Sequence, residues 1–241
     1  MQMWQGKWLK AYVLYSKAGV AQQIWIANEK GAVLVDAGDG IVRDILSSEF
    51  DVKELMGVIF THGHYDHIGD IHSLLGYLRC VGKKGSLQIY APEGCMEALN
   101  MVNNFISCYP DTIPFKISYK EVKEDQFFEI SGMTFKAYPV VHHGSIKDYG
   151  ILDQIPALAY RVSYREEIIA ISGDTGVCLS LEALVRGADL AILEATFEGS
   201  NQIKEESLKK EHLSEDVAKE IGKLAKDFIL IHKGRREGKR F

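Results

Sequence analysis

Residues 60–70 read FTHGHYDHIGD and place His62, His64, Asp66 and His67 within six positions. Neutral imidazoles and carboxylates hold zinc at about 2.0–2.2 Å, and catalytic sites keep one position open for water. The run directly follows the apolar segment GVIF, so its polar groups lie where a strand ends, a usual place for functional side chains. Side chains two apart on a strand share a face, so His62 and His64 can share one metal there. If the chain then turns, Asp66 and His67 face a second position. A hydrophilic turn with solvated histidines is the competing interpretation, and it leaves the dense ligand set at a strand exit unexplained.

The elements that must position these groups follow from local pattern. KAYVLYS, QQIWIAN, AVLVDAG and GVIFTHG are β-branched or aromatic-rich runs separated by turn residues, and GIVRDILSSE between the last two has the spacing of a short helix. DIHSLLGYLRCVG and EGCMEALNMVNNFIS have helical apolar stripes, flanking the strand SLQIYAP. FKISYKEV, QFFEISG, MTFKAYPVVHH, ALAYRVSY and EIIAISGDT then read as successive strands. SLEALVRGA is a helix, DLAILEAT a buried strand, SEDVAKEIGKLAKD a helix and FILIHKG the last strand. Ser214, Glu215 and Asp216 suit a first helical turn.

No Pro/Ser-rich linker or internal repeat divides the 241 residues, and the segregated strands and helices suit one α/β domain with two packed sheets. No run approaches the ~20 apolar residues of a membrane span, and the N-terminus lacks a secretory leader pattern. Four scattered cysteines without a C-x-x-C pair suit a reduced, cytoplasmic chain. A net charge of −5 argues against a general nucleic-acid coat, although KGRREGKRF at the end concentrates Lys233, Arg235, Arg236, Lys239 and Arg240. Such a cluster is either a solvated terminus or a local grip for an anion.

THGHYDHIGD resembles the H-x-H-x-D-H signature of the metallo-β-lactamase superfamily, and the other signature blocks occur in order. AYPVVHHG offers His142 or His143 as a further ligand, with the family's proline-to-histidine spacing favouring His142; AISGDTG offers Asp174 and FILIHKG offers His232. The resemblance implies a single domain over residues 1–241, a four-layer αββα sandwich. One metal would be bound by His62, His64 and His142, a second by Asp66, His67 and His232, with Asp174 bridging both. The implied ions are two divalent metals, zinc first, with manganese or iron(II) suited to the same donors. A hydroxide shared between them would be the nucleophile.

LEATFEGS and KKEHLSED resemble the paired H-E-A-T and H-S/T segments of the ribonuclease Z branch. This implies His212 as the proton donor to the leaving oxygen and Glu194 as its partner, completing a catalytic set with Asp66. The expected substrate is a small-molecule or nucleic-acid phosphodiester; a lactone, thioester or aryl sulfate on the same two-metal site is the alternative. Homodimers are common among such relatives. The sequence also departs from that branch. Leu193 stands where H-E-A-T has histidine, DAGDGIV keeps Asp36 and Gly38 but lacks the branch's threonine and glutamine, and only 31 residues separate His142 from Asp174.

Overall fold

The computed structural model describes residues 1–48, 50–146, 150–199 and 211–234. The chain divides into two compact units, residues 1–122 with 129–132, and residues 123–128 with 133–241. Arg235, Arg236, Lys239 and Arg240 of the basic terminus lie outside the described residues, whereas Lys233 contacts Glu215 at 3.5 Å.

The first unit is built on a seven-stranded sheet in sequential order: β1 (Gln2–Gln5), β2 (Lys10–Lys17), β3 (Ala21–Asn28), β4 (Gly31–Val35), β5 (Leu55–Ile59), β6 (Ser86–Pro92) and β7 (Lys116–Val122). Pairing is antiparallel from β1 to β4 and parallel from β4 to β7. Parallel neighbours need crossovers, and these carry α1 (Ile41–Ser47), α2 (Tyr65–Ile68), α3 (Ile71–Cys80) and α4 (Met96–Cys108). On α3 the spacing Ile71, Leu74, Leu75, Leu78 makes one apolar face, and all four are fully buried. With Ala98, Val102 and Phe105 of α4 they pack into the same core as Leu34, Val58 and Phe60.

A six-stranded sheet, built mainly by the second unit, is ordered β15-β14-β13-β12-β9-β8. Its strands are β8 (Phe127–Ile130), β9 (Met133–Pro139), β12 (Leu158–Tyr164), β13 (Glu167–Ile171), β14 (Leu190–Glu194) and β15 (Phe228–Ile231). Helix α5 (Ser180–Val185) links β13 to its parallel neighbour β14, and α6 (Glu215–Gly222) lies between β14 and its parallel neighbour β15. Leu181, Leu184 and Val185 of α5 and Ala218 of α6 bury against Ala191 and Leu193. A separate hairpin pairs β10 (His143–Ile146) with β11 (Gly150–Gln154).

Three local features differ from the sequence expectation. The strand expected to run through His143 stops at Pro139, which opposes Leu158, and residues 140–142 continue as irregular chain before β10. Strand β5 stops at Ile59, so the histidine run is an excursion beyond it. The short edge strand β1 and the β10–β11 hairpin have no counterpart in the pattern analysis. Among the described residues no helix is long and apolar enough to cross a membrane, and all four cysteines are free thiols.

Candidate functional site

Each unit gathers polar side chains where its parallel strands end. In the first unit, Asp36 follows β4 in the left-handed conformation (φ 62°) and is fully buried. Its backbone N–H donates to Ile59 and the amide of Ala37 to the His67 carbonyl, so the exits of β4 and β5 are buckled together. Gly38 makes this approach possible: a Cβ there would lie 2.1 Å from the Asp66 carbonyl oxygen.

The Asp36 carboxylate accepts from the Thr61 amide (2.8 Å), the Thr61 hydroxyl (2.9 Å) and His67 Nδ1 (2.8 Å). Burial pushes this carboxyl up from its ordinary range, with the His67 imidazole and the Thr61 donors opposing the shift. His62 Nδ1 lies 3.0 Å from the Thr61 hydroxyl. The His62 ring is 4.7 Å from that of His64 and 4.0 Å from that of His67. His62 and His64 thus converge, through loop geometry rather than strand alternation. Asp66 accepts the Gly19 amide at 2.8 Å, and the exposed Tyr65 donates its phenol proton to the Gly19 carbonyl at 2.7 Å.

In the second unit, Glu194 ends β14 and is fully buried. Its Oε1 accepts from the amides of Thr175 and Leu213 (both 3.1 Å) and from His212 Nδ1 (3.0 Å). Its Oε2 accepts from the Thr196 amide (3.0 Å) and hydroxyl (2.9 Å). The same hydroxyl lies 2.9 Å from Nδ1 of His232, which follows β15 at φ 55°. Positive φ in a non-glycine residue is strained and recurs at functional sites. Asp174 Oδ2 is 3.3 Å from His232 Nε2 and 3.7 Å from His212 Nδ1. Asp174, His212 and His232 hold their ligand atoms within 4.8 Å of one another.

His142 is buried, hydrogen-bonds through Nδ1 to the Glu211 carbonyl (2.7 Å), and its ring lies 5.2 Å from that of His212. The neighbouring His143 instead directs Nδ1 at the Leu152 carbonyl in the β10–β11 hairpin. The first unit therefore gathers His62, His64, Asp66 and His67, and the second gathers His142, Asp174, Glu194, His212 and His232.

The donor chemistry fits divalent metals. His62, His67, His142 and His232 each engage Nδ1 with a hydroxyl, carboxylate or carbonyl, the outer-sphere pattern that orients an imidazole to ligate through Nε2. Three residues lie within the recognised motifs without an assigned role there: Asp36 as acceptor, and Thr61 and Thr196 as links. Their sequence signal is slight, a threonine beside each ligand block.

A model of the Beta-lactamase superfamily domain matches residues 32–232. Ribonuclease Z of Mycobacterium sp. (strain KMS) is 29% identical over 168 residues, covering 65% of this chain and 56% of the relative. The chain thus matches little more than half the length of that relative. Human tRNase Z, short form, has a TM-score of 0.76 at 20% identity, over 94% of this chain and 93% of that one. The metallo-beta-lactamase fold protein YhfI from Bacillus subtilis has a TM-score of 0.74 at 18% identity, over 95% and 87%. These likenesses establish the metallo-β-lactamase fold, a mixed α/β architecture with two large sheets. With the family model spanning most of its length, the chain belongs to the beta-lactamase superfamily.

Proposed function

We propose that this chain is a metal-dependent hydrolase in which the two clusters together hold two divalent ions, and that its substrates are phosphodiesters. His62, His64 and His142 would hold one ion and Asp66, His67 and His232 the other, with Asp174 shared. The ordered signature blocks, the superfamily membership and the likeness to a mycobacterial ribonuclease Z support this assignment. Zinc suits the mixed imidazole and carboxylate donors, as do manganese and iron(II). Bound there, such ions acidify water and stabilise the negative charge that builds on phosphoryl oxygens.

The chain's own groups do the rest. Gly19 holds the Asp66 carboxylate in place through its amide. Glu194 accepts from His212 Nδ1–H, and in the doubly protonated ring Nε2–H is the proton that would go to the departing oxygen. The observation that carries this reading is the His212 imidazole lying against two carboxylates, 3.0 Å from Glu194 and 3.7 Å from Asp174. Both contacts fall on Nδ1, which leaves Nε2 as the nitrogen that would serve the departing oxygen.

We take residues 1–241 as one working domain, acting in the cytoplasm on a small-molecule or nucleic-acid phosphodiester and able to form a homodimer. The test uses purified protein loaded with Zn²⁺ or Mn²⁺ and a chromogenic bis-aryl phosphodiester. Turnover is expected, and His212→Ala should slow it by about 10²–10⁴-fold while metal content stays unchanged. A fully metallated but inactive preparation would remove phosphodiesters as the substrate class.

A further inference from the structure

We propose that the hydroxyls of Thr61 and Thr196 are positioning groups that lock His62 and His232 in the Nδ1–H tautomer, leaving Nε2 of each as its metal-binding atom. The metal role rests on the proposed function; the tautomer does not.

The argument is a count of protons. Amides can only donate, so the Thr175, Thr196 and Leu213 N–H groups make both Glu194 oxygens acceptors. The Thr196 hydroxyl has one proton and lies 2.9 Å from both Glu194 Oε2 and His232 Nδ1. Giving that proton to the imidazole would set two lone pairs against each other across the Thr196–Glu194 contact. The proton therefore goes to the carboxylate, and the hydroxyl accepts from His232 Nδ1–H. Thr61 is arranged in a related way: its amide makes Asp36 Oδ1 an acceptor (2.8 Å), and its hydroxyl lies 3.2 Å from that oxygen, 2.9 Å from Oδ2, 3.0 Å from His62 Nδ1 and 3.4 Å from His67 Nδ1.

Neither threonine is needed as a metal ligand, and each sits beside one in sequence or through a single contact. Outer-sphere partners of this kind orient the ring and raise its basicity. Valine keeps the shape of threonine and removes only the link.

The test begins with the metal-free, full-length protein, whose histidine tautomers are read from long-range ¹H–¹⁵N correlations. His62 and His232 should both show Nδ1–H when neutral. Thr196→Val should turn His232 into a tautomer mixture, leave His62 unchanged, and weaken zinc binding by roughly 10–100-fold in a chelator competition; Thr196→Ser should restore both. An Nε2–H tautomer at His232 in the wild type would overturn the proposal even if the valine variant fails to fold. So would a folded Thr196→Val protein with unchanged tautomer and zinc affinity. A wild type with the stated tautomers but no hydrolysis would sink the proposed function and leave this inference standing.

Discussion

The two clusters use the same parts in different ways. Each has a buried carboxylate at a strand exit, a threonine that gives it both amide and hydroxyl, one imidazole bound to it directly and a second bound through the threonine hydroxyl. In the first unit the pair is His67 and His62 on Asp36; in the second it is His212 and His232 on Glu194. The difference lies in what else the carboxylate holds. Asp36 serves residues 61–67, a single short excursion of the chain. Glu194 takes amides from Thr175, Thr196 and Leu213 and so ties together three segments distant in sequence. A contiguous loop of polar groups needs an anchor, whereas groups dispersed along the chain need a knot.

That contrast is most easily broken at the carboxylates. Glu194→Ala strands several buried donors at once and is expected to cost about 3–5 kcal/mol, the range for removing one member of a buried charged network. Asp36→Ala should cost less, because fewer segments lose their partner. Urea denaturation of both variants checks this, and an equal or larger loss for Asp36→Ala would defeat the comparison. Gly38→Ala comes next: its Cβ would overlap the Asp66 carbonyl at 2.1 Å, and the forced shift should cost roughly 1–3 kcal/mol. That change should also weaken metal binding, since the displaced chain carries Asp66.

Smaller effects sharpen the picture. Ser214 caps α6 by accepting the Val217 amide at 3.3 Å, beside the His212–Leu213 segment that Glu194 holds. Ser214→Ala should lower stability by about 1 kcal/mol, read as a modest fall in melting temperature. The last probe is chemical. Cys95 lies under the first ligand loop, 3.1 Å from where a Gly63 Cβ would sit, and burial pushes its thiol up to about 11. At pH 8 it should be alkylated far more slowly than the exposed Cys80 and Cys108, with the rate climbing as pH rises toward 11. Cys95 should stay protected in any Glu194→Ala protein that remains folded, because Asp36 still anchors that loop. Fast labelling there would mean the two carboxylates do not act separately.

The same contrast explains what was legible in the sequence. Most of the strands and the stripes of α3 and α4 follow from period alone, because those residues are buried by their own local pattern. The proposed ligands His62–His67 announce themselves since they are contiguous, while Asp174, Glu194, His212 and His232 become visible only through the order of known motifs. Pattern could not show that β5 and β9 stop before their histidines, because strand ends depend on which neighbour supplies the pairing. Nor could it show Asp36 and Thr61 as a shared support, since hydrogen bonds between a carboxylate and a threonine 25 residues away leave no periodic trace. The edge strand β1 is likewise short and largely exposed, and is defined by pairing with β2.

The central claim is that the two clusters hold two metal ions, and titration of the metal-free protein with zinc by calorimetry tests it most directly. The account predicts two ions per chain, with Asp174→Ala weakening both because its carboxylate is shared. Binding of a single ion, or two ions unaffected by loss of Asp174, would contradict it.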